Sequence, residues 1–297
     1  MNFVTRDIPG APALRVAEGP DHGPPLLLLH GVTRGWRDWE SLLPALADEW
    51  HVFALDQRGH GASGRSSAYL VTDYVADVVR FVSEQMTAPW VIFGHSLGAM
   101  VAAGAAAEIP ERVRGIVLED PPFHTMGNRI AVGAWRAQFT GMQEAAMRGL
   151  ALEELTDVLG DIRLPAATGE TVRLGDFRDR ASLRWSAECL THLDPEVLTP
   201  IIAGRWLDGY DVTGVFARVR CPVLLLQADP SSGGALTDED AAEAAKVLHA
   251  CQHVRFPGVG HQLHREKPHA VLEALQEFAA CLQDSAALSA PPVSSPP

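Results

Sequence analysis

The residues that most directly suggest chemistry are a serine, a histidine and two candidate acids, far apart along the chain. Gly94-His95-Ser96-Leu97-Gly98 follows the apolar run Trp90-Val91-Ile92-Phe93 and leads into an alanine-rich helical segment. A serine on so tight a strand-to-helix turn holds its hydroxyl clear of the backbone, within reach of a base and a carbonyl. Its neighbours two residues away on each side are glycines, which removes the bulk that would block the turn. A serine hydroxyl needs a base, and twelve histidines are available. His261, in Gly258-Val259-Gly260-His261, lies after the last candidate strand and before the last helix, where an adaptable loop can present its ring. His264 is a candidate supporting residue. His22, His51, His249, His253 and His269 read as surface or packing residues.

An imidazole acting as base works best when a carboxylate orients it. Two acids end candidate strands. Asp229 follows Val223–Leu226, and Asp120 closes Leu118-Glu119-Asp120 before two prolines. Asp229 is preferred and Asp120 is the alternative, while a turn-forming role for Asp229 ahead of Pro230 stays open. A developing oxyanion needs amide donors. The N–H groups of Val32, after the run Leu26–Leu29, and of Leu97, at a helix start with free amides, are the candidates. Loss of one such donor costs about 10²- to 10³-fold in rate.

These residues must be carried by elements that bring them together. Apolar runs without period-2 alternation, at Leu26–Leu29, His51–Leu55, Trp90–Phe93, Gly115–Leu118 and Val223–Leu226, suit strands buried on both faces. Gln252–Phe256 is a weaker sixth. Helical patterns near 38–48, 72–86, 97–107, 237–249 and 268–283 lie between them, and this alternation predicts a parallel sheet covered on both sides. Two short extended pieces in the first 20 residues predict an antiparallel edge. From about residue 122 to 210 the alternation stops. Amphipathic segments near 129–149, 151–160, 176–193 and 195–207 predict a helical insertion with no strand, over one end of the sheet. Residues 285–297, small and Pro-rich, predict disorder. The expected division is a core of residues 1–121 and 211–284, a helical cap of 122–210 and a tail.

The 297 residues carry 24 Lys and Arg against 37 Asp and Glu, a net charge of −13. That balance argues against nucleic acid and anionic membrane as partners. Four separated cysteines without a C-x-x-C pair read as reduced thiols of a cytoplasmic protein. No secretory leader is evident at the start. The uncharged stretch 85–107 has a membrane-like length, but Pro89 and Gly94-His95-Ser96 interrupt it, so strand, turn and buried helix explain it better.

The chain resembles the cap-bearing branch of the α/β-hydrolase superfamily. The matching marks are His30-Gly31, Asp56-Gln57-Arg58-Gly59-His60-Gly61-Ala62-Ser63, the serine turn, Asp229 and Gly260-His261, in family order over roughly residues 3 to 283. The resemblance implies an α/β-hydrolase fold with a mostly parallel eight-stranded sheet, helices on both faces, a helical cap inserted after strand 6, and no cofactor or metal. It also implies that the activities of epoxide hydrolases and haloalkane dehalogenases, which carry aspartate at this turn, are excluded, because Ser96 stands there, whereas hydroxynitrile lyases share the serine and are not excluded by it. The Asp56–Ser63 segment reads as mainly structural.

The expected activity is hydrolysis of a small hydrophobic ester or lactone through an acyl-enzyme. Amide, carbamate or C–C cleavage, or a ligand receptor of the same fold, are the alternatives. Trp36, Phe123, Trp135, Trp185 and Trp206 are the expected substrate-binding residues, and Arg34 and Arg37 are placed to meet a carboxylate or to face solvent. A homodimer is left open.

Overall fold

The computed structural model describes residues 3–85, 88–166, 169–248 and 250–289. Ten strands are present among them: β1 (Val4–Ile8), β2 (Leu14–Glu18), β3 (Pro25–Leu29), β4 (His51–Asp56), β5 (Trp90–His95), β6 (Val113–Glu119), β7 (Arg163–Pro165), β8 (Thr171–Arg173), β9 (Val223–Ala228) and β10 (Cys251–Phe256). Eight form one sheet in the order β1-β2-β4-β3-β5-β6-β9-β10. β1 and β2 are antiparallel, as the first 20 residues predicted, and every pairing from β4 to β10 is parallel.

The uniform apolarity of the central strands reflects burial on both faces. β3, β4, β5 and β9 are buried at every position. Alternate residues serve opposite layers: Leu27, Leu29 and Ile92 join one apolar cluster, while Leu26, Leu28, Val91 and Phe93 join the other. The flanking helices are α1 (Leu43–Leu46), α2 (Val71–Glu84), α3 (Leu97–Glu108), α8 (Val212–Arg218), α9 (Asp238–Val247), α10 (Leu263–Glu266) and α11 (Pro268–Ser289). α3 is buried along nearly its whole length, which explains its small residues. A Cβ on Gly104 would sit 2.5 Å from a Val75 methyl of α2. No helix among the described residues is long and apolar enough to cross a membrane, and the uncharged stretch resolves into β5, the serine turn and α3.

Between β6 and β9 lie α4 (Ala134–Ala146), α5 (Leu152–Gly160), α6 (Arg180–Thr191) and α7 (Thr199–Ile202). The expectation of a wholly helical insertion needs one correction. β7 and β8 form a small antiparallel hairpin, each strand only three residues long. Runs this short carry no readable period. A second correction concerns the tail: residues 285–289 continue α11, and 290–297 lie outside the described residues.

The chain runs from β3 to β4 on one side and then returns to place β5 on the other side of β3. At such a reversal the connections leave in opposite directions, so a crevice opens beyond the carboxyl ends of the two strands. The loop His30-Gly31-Val32 leaves β3 there, and Ser96 leaves β5.

Candidate active site

Ser96 adopts φ 53° and ψ −112°, a left-handed region that costs a non-glycine residue energy. Its surroundings hold it there. Ser96 N–H donates to the Glu119 carbonyl at 2.9 Å, and its own carbonyl accepts from Ala99 and Met100 as α3 begins. Both glycines of the turn are sterically required. A Cβ on Gly94 would strike the backbone of Gly98, and one on Gly98 would strike the Leu29 carbonyl. Gly31 is equally constrained, since its Cβ would lie 2.8 Å from His95 Nδ1 and 3.2 Å from Ser96 Cβ. The loop after β3 therefore lies directly against the serine turn.

His261 and Ser96 line the same cavity, together with Gly31, Val32 and Trp135. The His261 ring is braced on both sides: the His95 ring lies 4.6 Å away between centroids, and Trp135 of α4 meets it edge-to-face at 5.4 Å. His95 Nε2–H donates to the His261 carbonyl at 2.8 Å, which fixes the backbone beneath that ring. Burial, reinforced by the neighbouring His261 and His264, holds the His95 imidazole well below its ordinary pKa, so it is neutral.

The carboxylate that meets His261 is Asp120. His261 Nδ1 lies 2.5 Å from Asp120 Oδ2. The same carboxylate accepts backbone N–H bonds from Ala235 (2.7 Å), Ala228 (3.2 Å) and Leu236 (3.2 Å), and it is fully buried. Asp120 has φ 43°, and its N–H donates to the Leu226 carbonyl at 2.8 Å. This strained turn at the end of β6 swings the side chain toward the histidine. The preference for Asp229 is thereby corrected. Its carboxylate accepts from Ser231 N–H, Ser231 Oγ–H and Gly258 N–H, at 2.7–2.8 Å. The Ser231 hydroxyl and those amides hold its pKa below the usual carboxylate value, and it caps the turn beginning at Pro230.

The two candidate amide donors sit where the fold exposes them. Leu97 opens α3, so no intrahelical carbonyl lies four residues behind its N–H. Val32 lines the cavity. Its loop is held by His30, whose Nδ1–H donates to the Gly31 carbonyl (2.8 Å) while Nε2 accepts from Gln57 N–H (3.0 Å). Burial lowers the pKa of His30 to about 4, consistent with a neutral bracing ring. The Asp56–Ser63 segment ties this loop down: Asp56 accepts from Trp36 N–H (2.7 Å) and Ala62 N–H (2.9 Å), and His60 Nε2 accepts from Thr33 N–H (3.2 Å).

Sequence reasoning noted His264 only as a supporting residue and missed its partners. The ring is completely buried between two carboxylates, Glu119 (Nδ1 to Oε1, 2.7 Å) and Asp38 (Nε2 to Oδ2, 3.2 Å). Burial pushes its pKa down, but Glu119 and Asp38 outweigh it and raise it to about 9. Arg265 Nη1 and Trp185 Nε1 donate to Asp38 Oδ1 at 2.8 and 3.1 Å. This ionic layer lies directly behind the serine turn, because Glu119 also accepts Ser96 N–H. Its signal was the doublet Glu119-Asp120, whose two acids take different histidines.

The five expected substrate-contacting aromatics separate. Trp135 and Trp206 line the cavity of Ser96 and His261, with Phe139, Met142 and Gln138. The cavity is narrow, about 40 Å³, and Met126, Ile201 and Arg178 complete the wall on this side. Trp36 and Trp185 line a neighbouring cavity of about 260 Å³, reached past Arg34. Phe123 lines neither; it is buried edge-on against Phe216 at 4.7 Å, because the chain turns it into the core before α4 begins. His51 packs against Phe53 as expected, and His249 lies outside the described residues. One group of metal-ligand type is present among the described residues, His124, Asp240 and Glu243. It lines a different cavity from Ser96, and Arg129 already pairs with Asp240 at 2.9 Å.

Comparison with known proteins agrees with this architecture. The chain is 26% identical over 289 residues to 2-(acetamidomethylene)succinate hydrolase of Mesorhizobium japonicum, covering 93% of this chain and 95% of that one. It is 28% identical to epoxide hydrolase A of Mycobacterium tuberculosis, covering 89% and 93%. The crystal structure of N-formylmaleamic acid deformylase from Pseudomonas putida superposes with a TM-score of 0.74 at 20% identity, over 92% of this chain and 100% of that one. Residues 24–268 match the family model described as the alpha/beta hydrolase fold. The chain therefore belongs to the α/β-hydrolase family.

Proposed function

We propose that this protein is a serine hydrolase that cleaves a small ester or lactone through an acyl-enzyme, with residues 122–210 as a cap over the site. The observation that carries the reading is the meeting of Asp120 with His261 in a cavity that Ser96 also lines. Asp120 holds the proton of His261 on Nδ1, which leaves Nε2 free to accept. His261 Nε2 takes the Ser96 proton as Oγ bonds to the substrate carbonyl carbon. Negative charge that develops on the carbonyl oxygen is met by the Val32 and Leu97 amides. His261 then returns the proton to the leaving oxygen as the C–O bond breaks. A water, deprotonated by the same nitrogen, attacks the acyl-enzyme and releases the acid and the Ser96 hydroxyl.

Asp120 suits the orienting role because three backbone amides and His261 satisfy its oxygens. They fix the direction in which the carboxylate faces the ring. Trp135 meets the His261 ring edge-to-face at 5.4 Å and, with His95, limits its rotation away from Ser96.

A second reading, cleavage of a C–N bond with the same residues, is favoured by the full-length relative named as a hydrolase of an acetamido compound. The epoxide hydrolase relative supplies no such argument, because a serine occupies the nucleophile turn of this chain. Labelling with a fluorophosphonate, followed by peptide mapping, is expected to modify Ser96. Burst release of 4-nitrophenol from 4-nitrophenyl acetate is expected in the native protein and not in Ser96→Ala. Turnover retained by Ser96→Ala overturns the assignment. A panel of matched esters, lactones and amides then separates the two readings.

A further inference from the structure

The cavity that holds Ser96 and His261 has a charged lining of one sign. Arg34, from the loop after β3, and Arg178, from the segment entering α6, both face it. No Asp or Glu lines it among the described residues. In a chain with a net charge of −13, this is the reverse of the average. Arg34 is held by neutral groups. Its Nη1 donates to Ser186 Oγ at 3.0 Å, and its Nε and Nη2 donate to the Gln262 side-chain oxygen at 3.1 Å each when that amide turns its oxygen toward them. The Arg178 guanidinium makes no hydrogen bond or ion pair among the described residues. Burial, and next the charge of Arg34, lower its pKa, while Glu266 and Asp179 offset part of that repulsion.

Two partly buried guanidinium groups that line a nucleophile's cavity, with no carboxylate in direct contact, offer a seat for an anion, while Asp38 acts on Arg34, and Glu266 and Asp179 on Arg178, only through longer-range charge. An arginine fork matches the two oxygens of a carboxylate. The remaining wall joins apolar groups, Trp135, Phe139, Met142 and Trp206, to the neutral polar side chains of Thr33, Gln138 and Gln262. We infer that the substrate carries a carboxylate, which Arg178 and Arg34 hold at one end of the cavity while its scissile carbonyl meets Ser96. The preferred substrate is thus a small acid ester, lactone acid or amide acid, with a short apolar spacer between the two carbonyl groups. This inference rests on the acyl-enzyme reading above and adds the substrate class.

The test compares mono-4-nitrophenyl glutarate, which has a free carboxylate, with the neutral 4-nitrophenyl butyrate. The native protein is expected to favour the acid ester by about tenfold or more in kcat/KM. Arg178→Gln and Arg34→Gln are each expected to lower that ratio about 10- to 100-fold, the range for a charge-assisted hydrogen bond. Most of the change should fall in KM for the acid ester, and Arg178→Lys should restore part of it. No preference in the native protein, or a ratio unmoved by both substitutions, overturns the inference. If fluorophosphonate labels Ser96 and only the ratio fails, the acyl-enzyme reading stands without it. If neither ester is turned over, calorimetry with Ser96→Ala decides: glutarate should bind at least about tenfold more tightly than glutaramide, and Arg178→Gln should remove the difference. Equal binding, or none, again overturns the proposal.

Discussion

Asp120 Oδ2 and His261 Nδ1 lie 2.5 Å apart, although 141 positions separate the two residues in the chain. The contact is made because β6 and β9 are neighbours in the sheet. The backbone N–H groups of Ala228 and Leu236 then hold Asp120 Oδ1, and that of Ala235 holds Oδ2, the oxygen that also meets His261, all three donors lying at or beyond the end of β9. Asp229, just beyond the end of β9, is left at the surface with Ser231 and Gly258.

The two acids should therefore separate cleanly in kinetics. Asp120→Asn is expected to lower kcat by a factor on the order of 10⁴, because an amide no longer selects the histidine tautomer that can accept from Ser96. Asp229→Asn should change kcat/KM by no more than about twofold, as for an exposed turn residue. Steady-state kinetics on 4-nitrophenyl acetate makes the comparison. The opposite ranking would place the orienting acid at Asp229.

Gly98 should be irreplaceable for steric reasons alone. Its added Cβ meets the Leu29 carbonyl of β3, so Gly98→Ala must push α3 off the sheet or reopen the turn at Ser96. A destabilisation of about 1–3 kcal/mol is expected, together with a loss of activity larger than the loss of folded protein. Urea unfolding and active-site titration measure the two separately. Native stability and native activity in this variant would contradict the packing described.

His264 should couple stability to pH. Its pKa of about 9 in the folded protein exceeds the ordinary 6.5, so the folded state holds this proton where the unfolded state has released it. The associated stability is fully present below about pH 6.5 and is lost as pH rises through about 9, with a slope approaching 1.4 kcal/mol per pH unit between those limits. His264→Leu leaves Glu119 buried without its cation and Asp38 with Arg265 as its ion-pair partner, at a cost of about 3–5 kcal/mol near neutral pH. Urea midpoints from pH 6 to 9.5 should show the gap between native and variant protein narrowing as pH rises. A gap that is constant or widens would show that His264 is not the buried cation.

The chain on its own specified most of the scaffold. The runs at Leu26–Leu29, His51–Leu55, Trp90–Phe93, Gly115–Leu118 and Val223–Leu226 had to lie in buried parallel strands, because nothing polar interrupts them on either face. The glycines beside Ser96 announced a tight turn because no other residue fits there. Such features are local, so a linear reading reaches them. The partner of His261 was of another kind. Asp120 and Asp229 both end strands and both precede proline, and composition and spacing do not rank them. What separated them was a left-handed backbone turn at Asp120 and amide donors from residues 228, 235 and 236, neither of which is written near residue 120. The same applies to Arg178, which looks like any charged residue ahead of a helix. Only the tertiary fold brings its guanidinium, with Arg34, to the cavity that Ser96 lines. Contacts of this kind depend on which strands become neighbours and which loops close over them, and that is decided by packing across the whole molecule.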